Sequence, residues 1–325
     1  MLDQYHRSID YARISVTDRC NLRCIYCMPK EGVTSTPHQE ILTYDEICQI
    51  CEMFAELGIS KIKITGGEPL VRKNLSRLVS DLKKIKGIEK VTLTTNGLLL
   101  GEQMDSLVQA GIDGINISLD ALDDEIYKDI TGCKAVTKVR GSLAAAMTFK
   151  NIKLKVNCVP IKGINDEEIV RLASLAKENT IWVRFIEMMP IGLGQQFEAY
   201  SEAELVTILE EKLGELIPHT GKQGNGPARY YRISGFVGEI GFISALSHRF
   251  CSDCNRIRLT STGFLKTCLQ YEQGAELKPL LRKGADKELL REVVCKTIYD
   301  KPLQHHFERR ENCSLRSEKM FEIGG

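Results

Sequence analysis

Three cysteines, Cys20, Cys24 and Cys27, stand in the run CNLRCIYC with three and then two residues between them. Three thiolates so spaced can hold three irons of a four-iron cluster and leave the fourth iron without a protein ligand, open to another molecule. A structural zinc site is the alternative, but such sites are closed by four ligands and no fourth stands near. A second trio, Cys251, Cys254 and Cys268, has a stronger rival reading: His248 lies three residues before Cys251 and would complete a Cys3His zinc site. Spacing alone leaves both readings open there. Twelve cysteines with no secretory signal argue for metal ligation over a disulfide framework, since cytosolic thiols are kept reduced. The CxxC of Cys48 and Cys51 is different, because both belong to an apolar helical stripe with Tyr44, Ile47, Phe54 and Ala55, where core packing is expected. Cys133, Cys158, Cys295 and Cys313 show no partner pattern.

The elements that must position these thiols alternate. Strand-like runs occur at ARISV, KIKIT, VTLTT, INISL, KLKVNCV and WVRFIE, between residue 11 and about residue 190. Segments with helical apolar spacing follow them, such as Tyr44 to Leu57 and Leu75 to Ile85, so a parallel sheet with crossover helices is expected. Six βα units suit a partial (β/α)6 barrel better than a closed one of eight. Polar side chains occupy alternate strand positions: Arg13 and Ser15; Lys61, Lys63 and Thr65; Asn116 and Ser118; Lys153, Lys155 and Asn157. Neighbours on a strand face opposite ways, so these share one surface. The other face carries Ile62, Ile64, Ile115, Ile117, Leu154 and Val156 and suits helix packing, which leaves the inner face as a wide, basic cavity. Solvent exposure of those polar residues is the blander alternative, but a parallel sheet is normally covered on both faces.

After a helical stretch from Glu202 to Leu213 and the turn-rich GKQGNGP, the pattern changes to RYYRI, GEIGFIS, NRIRLT and FLKTCL. These read as antiparallel strands, and RLTSTGFLK as a hairpin with Gly263 in its turn. The division is therefore expected near residue 218: a barrel domain over 1–218 and a smaller, mainly antiparallel β plus helix domain over 219–325. Forty-four basic against forty-three acidic residues give a net charge of +1, which offers no general footprint for nucleic acid or an anionic membrane. No run approaches the roughly 18 apolar residues of a membrane span, and the start MLDQYHRSIDYAR is polar, so a cytoplasmic protein is expected.

The spacing CX3CX2C on the loop after the first strand, with Tyr26 between the last two cysteines, resembles the signature of the radical S-adenosylmethionine superfamily. TGGEP, Thr65 to Pro69, stands at the end of the second strand and resembles that superfamily's amino-group-binding motif. The resemblance implies that the open iron is chelated by S-adenosylmethionine and that its cleavage gives a 5′-deoxyadenosyl radical. It further implies contacts to that cofactor from Tyr26, Gly67, Ser118 in INISLD and Met189 in RFIEMMP, although Met189 taken alone reads as a core residue.

FCSDCNRIRLTSTGFLKTC is similar to the C-terminal motif of the GTP 3′,8-cyclases, and the terminal Gly324 and Gly325 also match that family. That resemblance spans nearly the whole chain. It implies a second four-iron cluster on Cys251, Cys254 and Cys268, with one iron open to the guanine base. GTP is the implied substrate: hydrogen is abstracted from ribose C3′ and the resulting radical attacks C8, the first step of molybdenum-cofactor biosynthesis. Cys20, Cys24, Cys27, Arg256 and Arg258 are the implied catalytic residues. Arg13, Lys63, Thr94, Lys155, Arg256, Ile257, Arg258, Gly324 and Gly325 are the implied substrate contacts. Lys63 departs from the arginine common at its position, keeping the charge but losing the bidentate fork. The partners implied are a low-potential electron donor such as flavodoxin or ferredoxin and a cyclic pyranopterin monophosphate synthase that takes the product; a homodimer is an assembly the resemblance allows.

Overall fold

The structure is a computed structural model and describes residues 1–221 and 224–307. Its elements begin with β1 (Tyr11–Ser15), α1 (Tyr44–Glu56), β2 (Lys61–Thr65), α2 (Leu75–Lys84), β3 (Lys90–Thr95), α3 (Leu100–Gln109) and β4 (Gly114–Ser118). Then follow α4 (Asp124–Thr131), α5 (Val136–Met147), β5 (Lys153–Cys158), α6 (Asp166–Glu178), β6 (Trp182–Ile186) and α7 (Glu202–Leu213). Six expected strands are thus present within a residue or two, and α1 and α7 begin at the capping boxes Thr43/Glu46 and Ser201/Glu204. β1 to β6 pair in parallel in chain order. The apolar strand face, from Ile62 and Ile64 to Leu154 and Val156, is buried with the helices in one core. Cys51 is fully buried there beside Phe54, and burial raises the Cys48 thiol to about 11, as packing residues require. Among the described residues no helix is long and apolar enough to cross a membrane.

The rest of the chain supplies β7 (Ile217–Pro218), β8 (Arg229–Arg232), β9 (Glu239–Ile243), β10 (Arg256–Leu259), β11 (Phe264–Lys266), β12 (Gly274–Glu276), α8 (Leu277–Arg282) and α9 (Lys287–Tyr299). These strands are antiparallel among themselves, but they split into two groups of three. β9 joins β6 in parallel at one edge of the barrel sheet, and β10 joins β1 in parallel at the other. One sheet of twelve strands results, in the order β12-β11-β10-β1-β2-β3-β4-β5-β6-β9-β8-β7. The C-terminal segment therefore covers both open edges of the partial barrel, which removes two sets of unpaired backbone groups. A unit boundary at residue 218 stays a proposal, since the sheet runs on through β7.

The expected hairpin is β10–β11, with Gly263 at φ +88° in its turn. A Cβ at Gly263 would stand 2.7 Å from the Lys278 Cβ, so both the backbone and the space call for glycine. Gly263→Ala is expected to lower stability by about 1 to 2 kcal/mol or more, read as a lower urea midpoint with an unchanged slope.

Candidate active site

The barrel encloses a cavity of about 500 Å³. One end is built from loops at the C-terminal ends of the strands, where α/β barrels carry their chemistry. Cys20, Cys24 and Cys27 line it together. Burial first, then Asp120, Cys27 and Cys20, push the Cys24 thiol well above its ordinary value, and all three cysteines are partly buried in this wall. The Leu22 amide donates to Cys20 Sγ at 3.5 Å, and Asn96 Nδ2 lies 4.0 Å from the same sulfur. Free thiols in one wall, met by N–H donors, fit an iron–sulfur group better than packing or disulfides.

Several contacts hold the cysteine loop, among them the Arg23 and Ile25 amides donating to the Thr131 and Ile130 carbonyls at 2.8 and 2.9 Å. The Tyr26 hydroxyl donates to Asp120 Oδ2 at 2.5 Å, while Asp120 Oδ1 accepts from the Val159 amide at 2.8 Å. Burial raises Asp120 to about 6. Gly67 donates its amide to the Thr17 carbonyl and Glu68 to that of Arg19, both at 2.8 Å. A Cβ at Gly67 would lie 2.4 Å from the Arg19 carbonyl oxygen. What approaches this glycine closely is thus the chain's own loop, a constraint added to the expected role toward a ligand. Glu68 is buried and accepts from the Leu70 and Asn96 amides and the Thr95 hydroxyl; desolvation raises it to about 7. Ser118 and Met189 also line the cavity, and it is Met188, not Met189, that is buried.

The remaining wall is cationic. Arg258, Arg13 and Lys63 stand in register on β10, β1 and β2, and Arg256, Lys155 and Arg184 join them. Burial, then Arg184, Arg13 and Lys155, push Lys63 well below its ordinary value; burial and Arg184 bring Lys155 to about 7. Neutral groups do what they can: the Asn116 amide oxygen accepts from Arg184 at 2.9 Å and also from Lys63, and Lys155 donates to the Tyr230 hydroxyl at 3.0 Å. Lys63, Lys155 and Arg184 are buried and Arg13, Arg256 and Arg258 partly so, and a wall of converging cations is chemically suited to an anion. Thr94 lies in the same wall, whereas Ile257 is fully buried behind it and offers only its backbone. Gly324 and Gly325 lie outside the described residues.

Cys254 precedes β10 and Cys268 follows β11, so the hairpin register carries both to one end. Cys251 stands three residues before Cys254, and burial pushes its thiol up, with Cys254 and Cys268 adding to the rise. Burial works against the Cys254 thiolate, yet Arg256 and Lys301 outweigh it and bring the thiol to about 6. His248 instead points its Nδ1 at Glu202, 3.5 Å away.

The Radical SAM superfamily model matches residues 14–176, and the model described as Molybdenum Cofactor Synthesis C matches residues 181–307. A GTP 3′,8-cyclase of Clostridium perfringens (strain 13 / Type A) is 44% identical over 325 residues, all of both chains. The chain belongs to the GTP 3′,8-cyclase family of radical SAM proteins. A family member from Desulforamulus reducens is 44% identical over 311 residues, 95% of this chain and 96% of its own. The fold is shared with Streptococcus suis SuiB bound to precursor peptide SuiA, with a TM-score of 0.58 at 15% identity, over 92% of this chain and 66% of that one.

Sequence reasoning missed Arg184, Asp120, Glu68 and Tyr230. Arg184 had a signal, since an arginine between Val183 and Phe185 on a barrel strand faces inward with Asn157, its register partner. The others had none, because their roles come from contacts between distant segments. Gly67→Ala is expected to overpack the Arg19 contact, costing about 1 to 3 kcal/mol, with a lower thermal midpoint and weaker S-adenosylmethionine binding by equilibrium dialysis.

Proposed function

We propose that this chain cyclises GTP by radical chemistry, joining ribose C3′ to guanine C8 in the step that opens molybdenum-cofactor biosynthesis. The observation that carries the reading is one cavity with a partly buried cysteine trio at one end and the row Arg258, Arg13, Lys63 along its wall. Cys20, Cys24 and Cys27 would hold the first cluster, and Cys251, Cys254 and Cys268 the second. When bound, a four-iron cluster with an open iron supplies the electron that cleaves the S-adenosylmethionine sulfonium.

The chain's own part is to bind, orient and exclude water. Tyr26, Gly67, Ser118 and Met189 would shape the S-adenosylmethionine end. Arg13, Lys63, Thr94, Lys155, Arg184, Arg256 and Arg258, with the Ile257 backbone, would hold GTP, whose charge near −4 at neutral pH answers the repulsion among the cations. That grip would keep the ribose facing the radical source, and the two terminal glycines would complete the nucleotide site. Cys20, Cys24, Cys27, Arg256 and Arg258 would be the groups on which turnover depends most. A low-potential donor such as flavodoxin or ferredoxin would feed the reaction, and a cyclic pyranopterin monophosphate synthase would consume the product.

Anaerobically purified wild-type protein given a reductant, S-adenosylmethionine and GTP is expected to release the cyclised nucleotide and 5′-deoxyadenosine, and to contain about eight irons. Cys24→Ala should abolish both products; deoxyadenosine forming at the wild-type rate in that variant defeats the reading, as does a content of about four irons plus one zinc.

Replacing Arg256 and Arg258 together by alanine separates binding from radical formation. At about 1.5 to 3 kcal/mol for each charged hydrogen bond, GTP affinity should fall by one to a few orders of magnitude. Slow S-adenosylmethionine cleavage and both clusters should persist. Unchanged affinity in equilibrium dialysis would move the triphosphate elsewhere.

A further inference from the structure

The C-terminal cysteines sit on three separate stretches: Cys251 in a short turn, Cys254 ahead of β10, and Cys268 beyond β11. Two buried cations lace those stretches together. Arg7 donates to the Cys251 carbonyl at 2.9 Å, to Leu303 at 2.8 Å and to Pro302 at 2.7 Å, and its charge is met by Asp3 at 2.6 Å. Lys301, in the turn after α9, is only 2% exposed. Its ammonium donates to the Arg256 carbonyl at 2.9 Å and to the Thr267 carbonyl, one residue before Cys268.

Lys301 differs from Arg7 in one respect. Among the described residues no carboxylate pairs with it. Two carbonyl dipoles accept from its ammonium but do not neutralise it, and a buried ammonium without an opposite charge is costly. The two carbonyls it binds belong to Arg256, two residues after Cys254, and Thr267, one residue before Cys268, so its ammonium sits between the segments that carry those cysteines. The lysine stem is long enough to leave such a place for water, yet the fold seals it in.

We propose that Lys301 is a positioning residue for the second iron–sulfur group: it ties the segments carrying Cys254 and Cys268 to each other and supplies the positive charge their sulfurs answer. The inference rests on the two-cluster reading above. A fixed positive charge beside a cluster favours its reduced, more negative form, so Lys301 raises the cluster's potential and steadies its ligands before iron arrives.

The test compares wild type with Lys301→Met, Lys301→Gln and Lys301→Arg, all full-length and reconstituted anaerobically. Iron per chain and the midpoint of each cluster are read, the midpoints by electron paramagnetic resonance during a redox titration. The first cluster, identified by the change that S-adenosylmethionine makes in its signal, is the internal reference. In Lys301→Met the second midpoint should shift to a more negative potential, or about half the iron should be lost, while the first cluster is unchanged; Lys301→Arg should restore the wild-type values. If Lys301→Met is insoluble, Lys301→Gln, which keeps a donor without the charge, reads the same shift. Full iron and unmoved midpoints in either neutral variant overturn the proposal. Wild-type protein with about half the expected iron instead overturns the two-cluster reading beneath it.

Discussion

Like charges side by side on neighbouring strands repel, and this fold places three in a row. Arg258, Arg13 and Lys63 occupy one register line across β10, β1 and β2, with Arg184, Lys155 and Arg256 within the same cavity. Burying each cation costs several kcal/mol unless something of opposite charge answers it. The sheet bears that cost through its other face, where Ile14, Ile64, Ile257 and Leu259 are wholly buried. Apolar packing on one side thus holds cations together on the other. The repulsion among these cations is what the proposed triphosphate would answer.

That row is completed where the last third of the chain returns to the β1 edge of the barrel sheet, and the same segment also covers the β6 edge. Two buried glutamates secure one return. Glu187, directly after β6, accepts the amides of Leu246 and Ser247, and Glu202 gathers Arg229, Tyr231 and Ser244. At the opposite edge Asp10 binds Asn255 at 2.6 Å and Lys61 at 2.5 Å, tying the start of β1 to β2 and to the approach to β10. Polar networks satisfied this fully specify one arrangement of the edges.

The cysteine loop depends on a different kind of constraint. Leu22 and Met28 are buried beneath it, and its place is further set by directional contacts: Tyr26 on Asp120, and the Thr17 to Arg19 backbone laid against Gly66 and Gly67. A loop held by backbone contacts and one short hydrogen bond can present three thiols in fixed positions without a helix beneath them. Glu68, turned inward to Thr95 and Asn96, couples that turn to the end of β3, next to the Asn96 side chain that faces Cys20.

The sequence by itself determined the local features. The spacing of Cys20, Cys24 and Cys27, the two-residue alternation that sorts Lys63 from Ile62 and Ile64, the capping signals and the Gly263 hairpin are set by bonds and periodicities within a few residues. Family motifs extended that reading to the substrate. Only the tertiary structure decided that β9 and β10 join opposite edges in parallel, because pairing between residues as far apart as Trp182 and Glu239, or Tyr11 and Arg256, leaves no local trace. The same holds for Arg184 beside Asn157, Asp120 beneath Tyr26, and Lys301 between the Arg256 and Thr267 carbonyls. In each case a charged or polar side chain ordinary for a surface acquires its role from burial, and burial is a property of the whole fold.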